Sequence, residues 1–304
     1  MAAGGDDHFD SFVTERIIPL EDTTNIVSFV ICRDKIISID NESPKTHNKV
    51  KINRLSDGTF LAVLDSQSHL TAICLMDDNT ICVLHFDGLI EMASIESEKE
   101  YCNLGEGSHT ESGQQGHSGS ESSDITMFTI TQHFHLRVGF DIYSSVASVN
   151  GNIVVVGLKH NIMYWCIVSL DNGNVDCVHR ICRVQNGSIS CYMTTNDNMI
   201  YISCLAGTSY EHTGLYGFDI SNPRVRHEYH NNRLQFPKSV VSNENGDIFV
   251  CNFGSIIHQL TADCERRVTY FRETGVSYCQ GMYWYNGRLY VTCWMSPNIT
   301  VFRH

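Results

Sequence analysis

No stretch of this 304-residue chain approaches the ~18 uninterrupted apolar residues of a membrane-spanning helix. The opening Met1-Ala-Ala-Gly-Gly-Asp-Asp-His lacks the basic-then-apolar order of a secretory leader. Both absences lead to the expectation of a cytoplasmic protein with no membrane partner. Cys-x-x-Cys is missing despite 13 cysteines and 15 histidines, so no paired zinc knuckle is present. Gly-x-Ser-x-Gly elbows and the glycine loops of Walker and Rossmann sites are missing as well, which leaves nucleophilic hydrolysis and nucleotide chemistry without a motif. Basic residues are few, 21 against 34 acidic ones, so the net charge of −13 repels polyanions at long range and DNA is not expected as a partner. Only five prolines punctuate the chain.

What the chain does contain is enough apolar sequence, 42%, for a sizeable core. Cysteines such as Cys82, Cys166, Cys204 and Cys251 sit inside apolar runs, where they act as small hydrophobes in a reducing compartment. The acidic excess belongs to residues 1–126, with 8 basic and 22 acidic residues; residues 127–304 hold 13 and 12. The segment 97–124 is Ser, Gly, Glu, Gln and His with almost nothing to bury and reads as a disordered insertion. A plain linker is preferred there over a tail regulated by phosphorylation at Ser118, Ser120, Ser122 or Ser123. Residues 1–11 read as a disordered N-terminus.

The dominant signal is an internal repeat. Six times a polar turn leads into a short apolar strand: Arg33-Asp-Lys-Ile-Ile-Ser-Ile, Asp78-Asn-Thr-Ile-Cys-Val-Leu, Asn150-Gly-Asn-Ile-Val-Val-Val, Asp197-Asn-Met-Ile-Tyr-Ile-Ser, Asn245-Gly-Asp-Ile-Phe-Val-Cys and Asn286-Gly-Arg-Leu-Tyr-Val-Thr. Asn-Gly and Asp-Asn are tight-hairpin chemistry. The fourth position is always Ile or Leu (Ile36, Ile81, Ile153, Ile200, Ile248, Leu289), and the sixth is Val or Ile except for Ser38. That two-residue spacing puts both side chains on one face of a strand. The anchors lie 45, 72, 47, 48 and 41 residues apart, and subtracting the insertion brings the long interval into line. Such a period, with apolar strands before and after each turn, predicts an all-β, six-bladed propeller spanning 12–304 as one domain. The sixth repeat ends one strand short, and Phe12–Leu20 is a spare strand at the other end, so the N-terminal strand is expected to close the last blade.

Phe236-Pro-Lys-Ser-Val-Val-Ser-Asn-Glu-Asn-Gly-Asp-Ile-Phe-Val-Cys-Asn-Phe-Gly-Ser-Ile-Ile-His-Gln-Leu resembles an NHL-type repeat, and Ser188–Cys191, Asp197–Ser203 and Gly214–Asp219 fit the blade before it. The chain thereby resembles the NHL/TolB-like propellers that end tripartite-motif (TRIM) and molluscan TRIM-like proteins, best over 145–304. The RING, B-box and coiled coil that precede such propellers in ubiquitin ligases are not in this sequence, so no ligase activity follows from the resemblance. It implies a scaffold that binds a protein or peptide.

The loops at one mouth of the propeller are the expected docking surface. Phe86, Tyr210, Phe253, Tyr278 and Trp294 are large aromatic residues where turns usually carry Gly, Asn or Asp, with Lys159 and Lys238 nearby. For Trp294 and Phe253, folding back over the core is an equal alternative. A second reading is RNA binding, since some NHL propellers bind RNA and Arg224, Arg226, Arg233, Arg266 and Arg267 cluster among His227, Tyr229 and Phe236. Interspersed acids favour a solvated outer strand instead. A third is a calcium-dependent lactonase or esterase, as six-bladed propellers of that kind hold calcium in the central channel. Of the residues following the repeated strands (Asp40, His85, Gly157, Cys204, Asn252 and Cys293) only Asp40 and Asn252 are hard-cation ligands, and calcium takes about six to eight oxygens. Cys177-Val-His179-Arg-Ile-Cys182 has poor zinc spacing, and His133/His135 read as a solvated face. The expectation is a non-enzymatic module with no cofactor and no metal.

Overall fold

The computed structural model describes residues 12–303 apart from 42–47, 67, 100–123, 171–172, 185–188, 207–212, 225, 231–233, 235, 253–255, 265–266 and 272–277. Six four-stranded antiparallel sheets form a six-bladed β-propeller. Blade 1 comprises β2 (Ile26–Cys32), β3 (Lys35–Asp40), β4 (Lys49–Arg54) and β5 (Phe60–Asp65). Blade 2 comprises β6 (Leu70–Leu75), β7 (Thr80–His85), β8 (Leu89–Lys99) and β9 (Asp124–His135). Blade 3 follows with β10 (Ile142–Val149), β11 (Asn152–Lys159), β12 (Ile162–Val168) and β13 (Val175–Arg183). Blade 4 holds β14 (Ile189–Asn196), β15 (Met199–Ala206), β16 (Gly214–Asp219) and β17 (Arg226–Tyr229). Blade 5 is β18 (Pro237–Ser242), β19 (Ile248–Asn252), β20 (Ile257–Leu260) and β21 (Arg267–Phe271). Blade 6 takes β22 (Cys279–Tyr285), β23 (Arg288–Cys293), β24 (Asn298–Arg303) and, from the other end of the chain, β1 (Val13–Pro19).

Closure is therefore as the spare strand implied. β1 pairs antiparallel with β24 from Val13↔Arg303 to Pro19↔Asn298. Ile18 and Leu20 bury into the seam between blades 6 and 1, and Arg288 grips Glu15 through both carboxylate oxygens at 2.6 and 3.2 Å. The hairpin turns follow their chemistry too: Asn150-Gly151 and Asn286-Gly287 have positive φ at both positions, as a two-residue hairpin requires.

One hydrophobic cluster fills each of the six seams between neighbouring blades. The repeat anchors Ile36, Ile81, Ile153, Ile200, Ile248 and Leu289 are all fully buried in those seams or beside them. Each such side chain contributes about 1.5–3 kcal/mol on burial. The first strands β2, β6, β10, β14, β18 and β22 adjoin one another around the axis and line a central channel of about 280 Å³. Hydroxyls on these strands latch one blade to the next. Thr195 Oγ1 donates to the Ser148 carbonyl at 2.6 Å, Ser242 Oγ to the Thr195 carbonyl at 3.2 Å, and the Met282 amide to Ser239 Oγ at 2.9 Å.

The polar segment 97–124 needs one correction at its ends. β8 runs to Lys99 and β9 starts at Asp124, paired through Ser97↔Thr126, Glu98↔Ile125 and Lys99↔Asp124. Cross-strand pairing extends the hairpin into the polar segment, which composition does not register. The remainder of that segment, and residues 1–11, lie outside the described residues.

Candidate functional site

In every blade the loop between second and third strands and the segment leading into the first strand emerge at the same end of the channel, here the loop face. The hairpins between first and second strands and the turns after the third strands form the opposite, turn face. On the loop face a single backbone bond recurs: the first residue after the second strand donates its amide to the residue before the first strand. It links Asn41 to Asn25 at 3.0 Å, Phe86 to His69 at 2.8 Å and Trp294 to Tyr278 at 2.9 Å. Phe86 and Trp294 thus hold one repeat position in blades 2 and 6, and Tyr278 holds the matching lead-in position.

The Tyr278 and Trp294 rings meet edge to face, 6.4 Å apart at 75°, yet Trp294 remains 48% exposed and Tyr278 about as much. Met295 beside them is 69% exposed. Its amide donates to Asn25 Oδ1 of blade 1 at 3.3 Å, which fixes the loop across the seam. Phe236, at the blade 5 position matching Tyr278, is also exposed. Phe236, Tyr278 and Met295 have φ of 54°, 58° and 56°. Bulky residues in the left-handed region are strained by roughly 1–3 kcal/mol, and such strain gathers at ligand-binding positions. Trp294 therefore does not fold back over the core. Met295 was not legible in the sequence as part of this surface, and Phe236 stood out only as an aromatic among basic residues; a positive φ at a bulky residue leaves no compositional trace.

The other expected contacts are scattered. Phe86 is exposed but two blades away, and Lys159, across the ring in blade 3, is half-buried with Nζ 3.5 Å from the Val138 carbonyl. Lys238 is half-buried, its ammonium 5.9 Å above the Tyr192 ring, and desolvation lowers its pKa. Tyr210 and Phe253 lie outside the described residues, as do Arg233 and Arg266. Of the remaining arginines, Arg224 is exposed in the turn after β16, on the turn face, while Arg226 and Arg267 begin the outer strands β17 and β21.

The six positions after the repeated strands need correction as channel ligands. The channel is lined by the first strands, and none of the six is among its lining residues. Asp40 instead holds the segment leading into blade 1: it accepts from the Asn25 amide at 2.7 Å, the Thr24 amide and hydroxyl at 3.2 Å and the Lys51 ammonium at 2.9 Å. Lys51 also reaches the Asp22 carbonyl. His85, the blade 2 counterpart of Asp40, hydrogen-bonds Ser68 through Nδ1 and Glu91 through Nε2, the latter at 2.9 Å. Serine, histidine and carboxylate in series resemble an activated nucleophile. Yet Glu91 occupies the strand position of Lys51, and Ser68 the lead-in position of Thr24, so the trio is the blade 2 version of the same latch. In blade 5, Asn252 Oδ1 accepts from the Ile256 amide at 3.2 Å. Gly157 in blade 3 has the Phe140 ring where its Cβ would be, 2.1 Å from Cδ2.

The His179 ring packs against buried Trp165, tilted by 33° with centroids 4.4 Å apart, which explains its place beside Cys177 and Cys182 on β13. His133 and His135 are exposed on one face of β9. Burial pushes the Cys166 and Cys264 thiols up to about 12, as inert core thiols require.

No family model and no curated protein matches this sequence. Among solved structures, the crystal structure of BamB from Moraxella catarrhalis is similar with a TM-score of 0.49 and 11% sequence identity, over 91% of this chain and 71% of that one.

Proposed function

We propose that this propeller is a non-catalytic, cytoplasmic interaction module that binds an apolar segment of a protein partner on the loop face of blades 5 and 6. The observation that carries this reading is the exposed Tyr278–Trp294–Met295 group, with Tyr278 and Met295 on left-handed backbone and Met295 braced to blade 1. Aromatic anchors and methionine are the residues that protein interfaces favour, and a rigid display lowers the entropy lost on docking. The NHL-type repeat and the resemblance to TRIM-like propellers support a scaffold role. A non-catalytic role is supported by the engagement of Asp40, Ser68–His85–Glu91 and Asn252 in holding loops. The many buried cysteines that are not in disulfides, among the described residues, support a reducing compartment.

The test is affinity capture from lysate with the wild type, a Tyr278→Ser/Trp294→Ser variant and a control, Val178→Ser, on an outer strand. Partners retained by wild type and control but lost from the double variant are expected. Recovery of the same partners by all three would overturn this placement.

A further inference from the structure

Three sulfur atoms converge in the seam between blades 3 and 4. The Cys191 thiol of β14 lies 3.1 Å from the Met163 thioether of β12 and 3.2 Å from the Cys204 thiol of β15, and Cys204 is 3.2 Å from Met163. Each of the three is a sulfur–sulfur hydrogen-bond contact. All three residues are buried.

Two independent constraints bring them together. Cys191 and Cys204 face each other across the β14–β15 hairpin, in register with its closing pair Asn196↔Met199. Met163 comes from the other blade, and the seam is pinned at this level: the Cys191 amide donates to Ser144 Oγ at 3.2 Å, and Ser144 Oγ lies 3.4 Å from the Cys191 carbonyl. Both cysteines stand two residues from the loop-face ends of their strands.

Two thiols and a thioether form a soft donor set. Zinc takes four ligands from cysteine, histidine and carboxylates, and among the described residues no group of three or more His, Cys, Asp or Glu has metal-binding geometry. Thiolate and thioether together select Cu(I). The centre of the sulfur triangle is about 1.8 Å from each atom, so moving each sulfur outward by about half an ångström reaches a metal–sulfur bond of about 2.3 Å. Two thiolates and one thioether around Cu(I) carry a single net negative charge, one fewer than the two thiolates alone.

We propose that Met163, Cys191 and Cys204 form a binding site for one soft monovalent cation, Cu(I), with two protons released for each ion bound. The site is independent of the loop-face reading. The test is an anaerobic titration with Cu(I), supplied as its acetonitrile complex and competed by bicinchoninate, on the folded full chain. One tightly held equivalent is expected in the wild type, and also in a Cys251→Ser/Cys279→Ser variant, which removes two other buried thiols. Cys191→Ser/Cys204→Ser is expected to lose it. Met163→Leu, close in volume and kind to the core, is expected to keep its thermal unfolding profile while Cu(I) affinity drops at least tenfold. A wild type without a tight equivalent, or equal retention in the Cys191/Cys204 and Cys251/Cys279 variants, overturns the proposal. So does unchanged affinity in Met163→Leu.

Discussion

Asp40 and Lys51 form an ion pair of 2.9 Å with both side chains fully buried, at the point where the chain crosses from the closing strand β1 into blade 1. The carboxylate also takes the Thr24 and Asn25 amides, so the pair holds the connection that makes the ring continuous. Burying two charges is costly, and removing one leaves the other uncompensated. Asp40→Ala and Lys51→Ala are each expected to destabilise by about 3–5 kcal/mol in denaturant unfolding. An Asp40→Leu/Lys51→Met double variant should lose less than the sum of its singles. Strict additivity would show that the two charges do not act as a unit.

Ring closure can be compared directly with the polar hairpin of blade 2. Deleting residues 1–20 removes Ile18 and Leu20 from their seam, worth about 1.5–3 kcal/mol each, and bares the β24 edge. Deleting 100–123 makes Lys99–Asp124 the two-residue turn of a hairpin still closed by Glu98↔Ile125. The first deletion should lower the melting temperature far more than the second; equal shifts would sink the closure argument.

Gly157 is set against the Phe140 ring, which itself stacks on Tyr164 at 6.2 Å. Gly157→Ala forces that ring aside and is expected to destabilise by about 1–3 kcal/mol. In a Phe140→Leu background the same alanine should be tolerated better, and a double-mutant cycle checks this. The same penalty in both backgrounds would place the strain elsewhere.

Burial lowers the pKa of His179 below its ordinary 6.5. The unfolded chain then takes up the proton at a higher pH than the folded one. Stability is independent of this group above the ordinary value, falls as pH drops from there towards the lowered value, and is constant below it. His179→Phe keeps a ring on Trp165 without the titration. Its melting temperature should fall less than the wild type's between pH 7.5 and 5; parallel profiles would remove His179 from the acid response.

The propeller was legible because its determinants are local and repeated. Asn-Gly turns, anchors such as Ile153 and Ile248, and two-residue alternation recur at one period, and hairpin chemistry needs no distant partner. Tyr278 and Trp294 were legible as unusual loop aromatics. That Met295 joins them, and that Phe86 does not, depends on which blades adjoin and on backbone torsions. Asp40 looked like an inward ligand because position along a strand says nothing of which strand lines the channel.

By itself the sequence determined the blade, its number and the strand that closes the ring, since period and alternation are properties of neighbouring residues. Only the tertiary structure decided what the seams hold. Met163 is 28 residues from Cys191, and these side chains meet because blades pack side by side. Contact across a seam depends on that packing, and no pattern within one repeat encodes it.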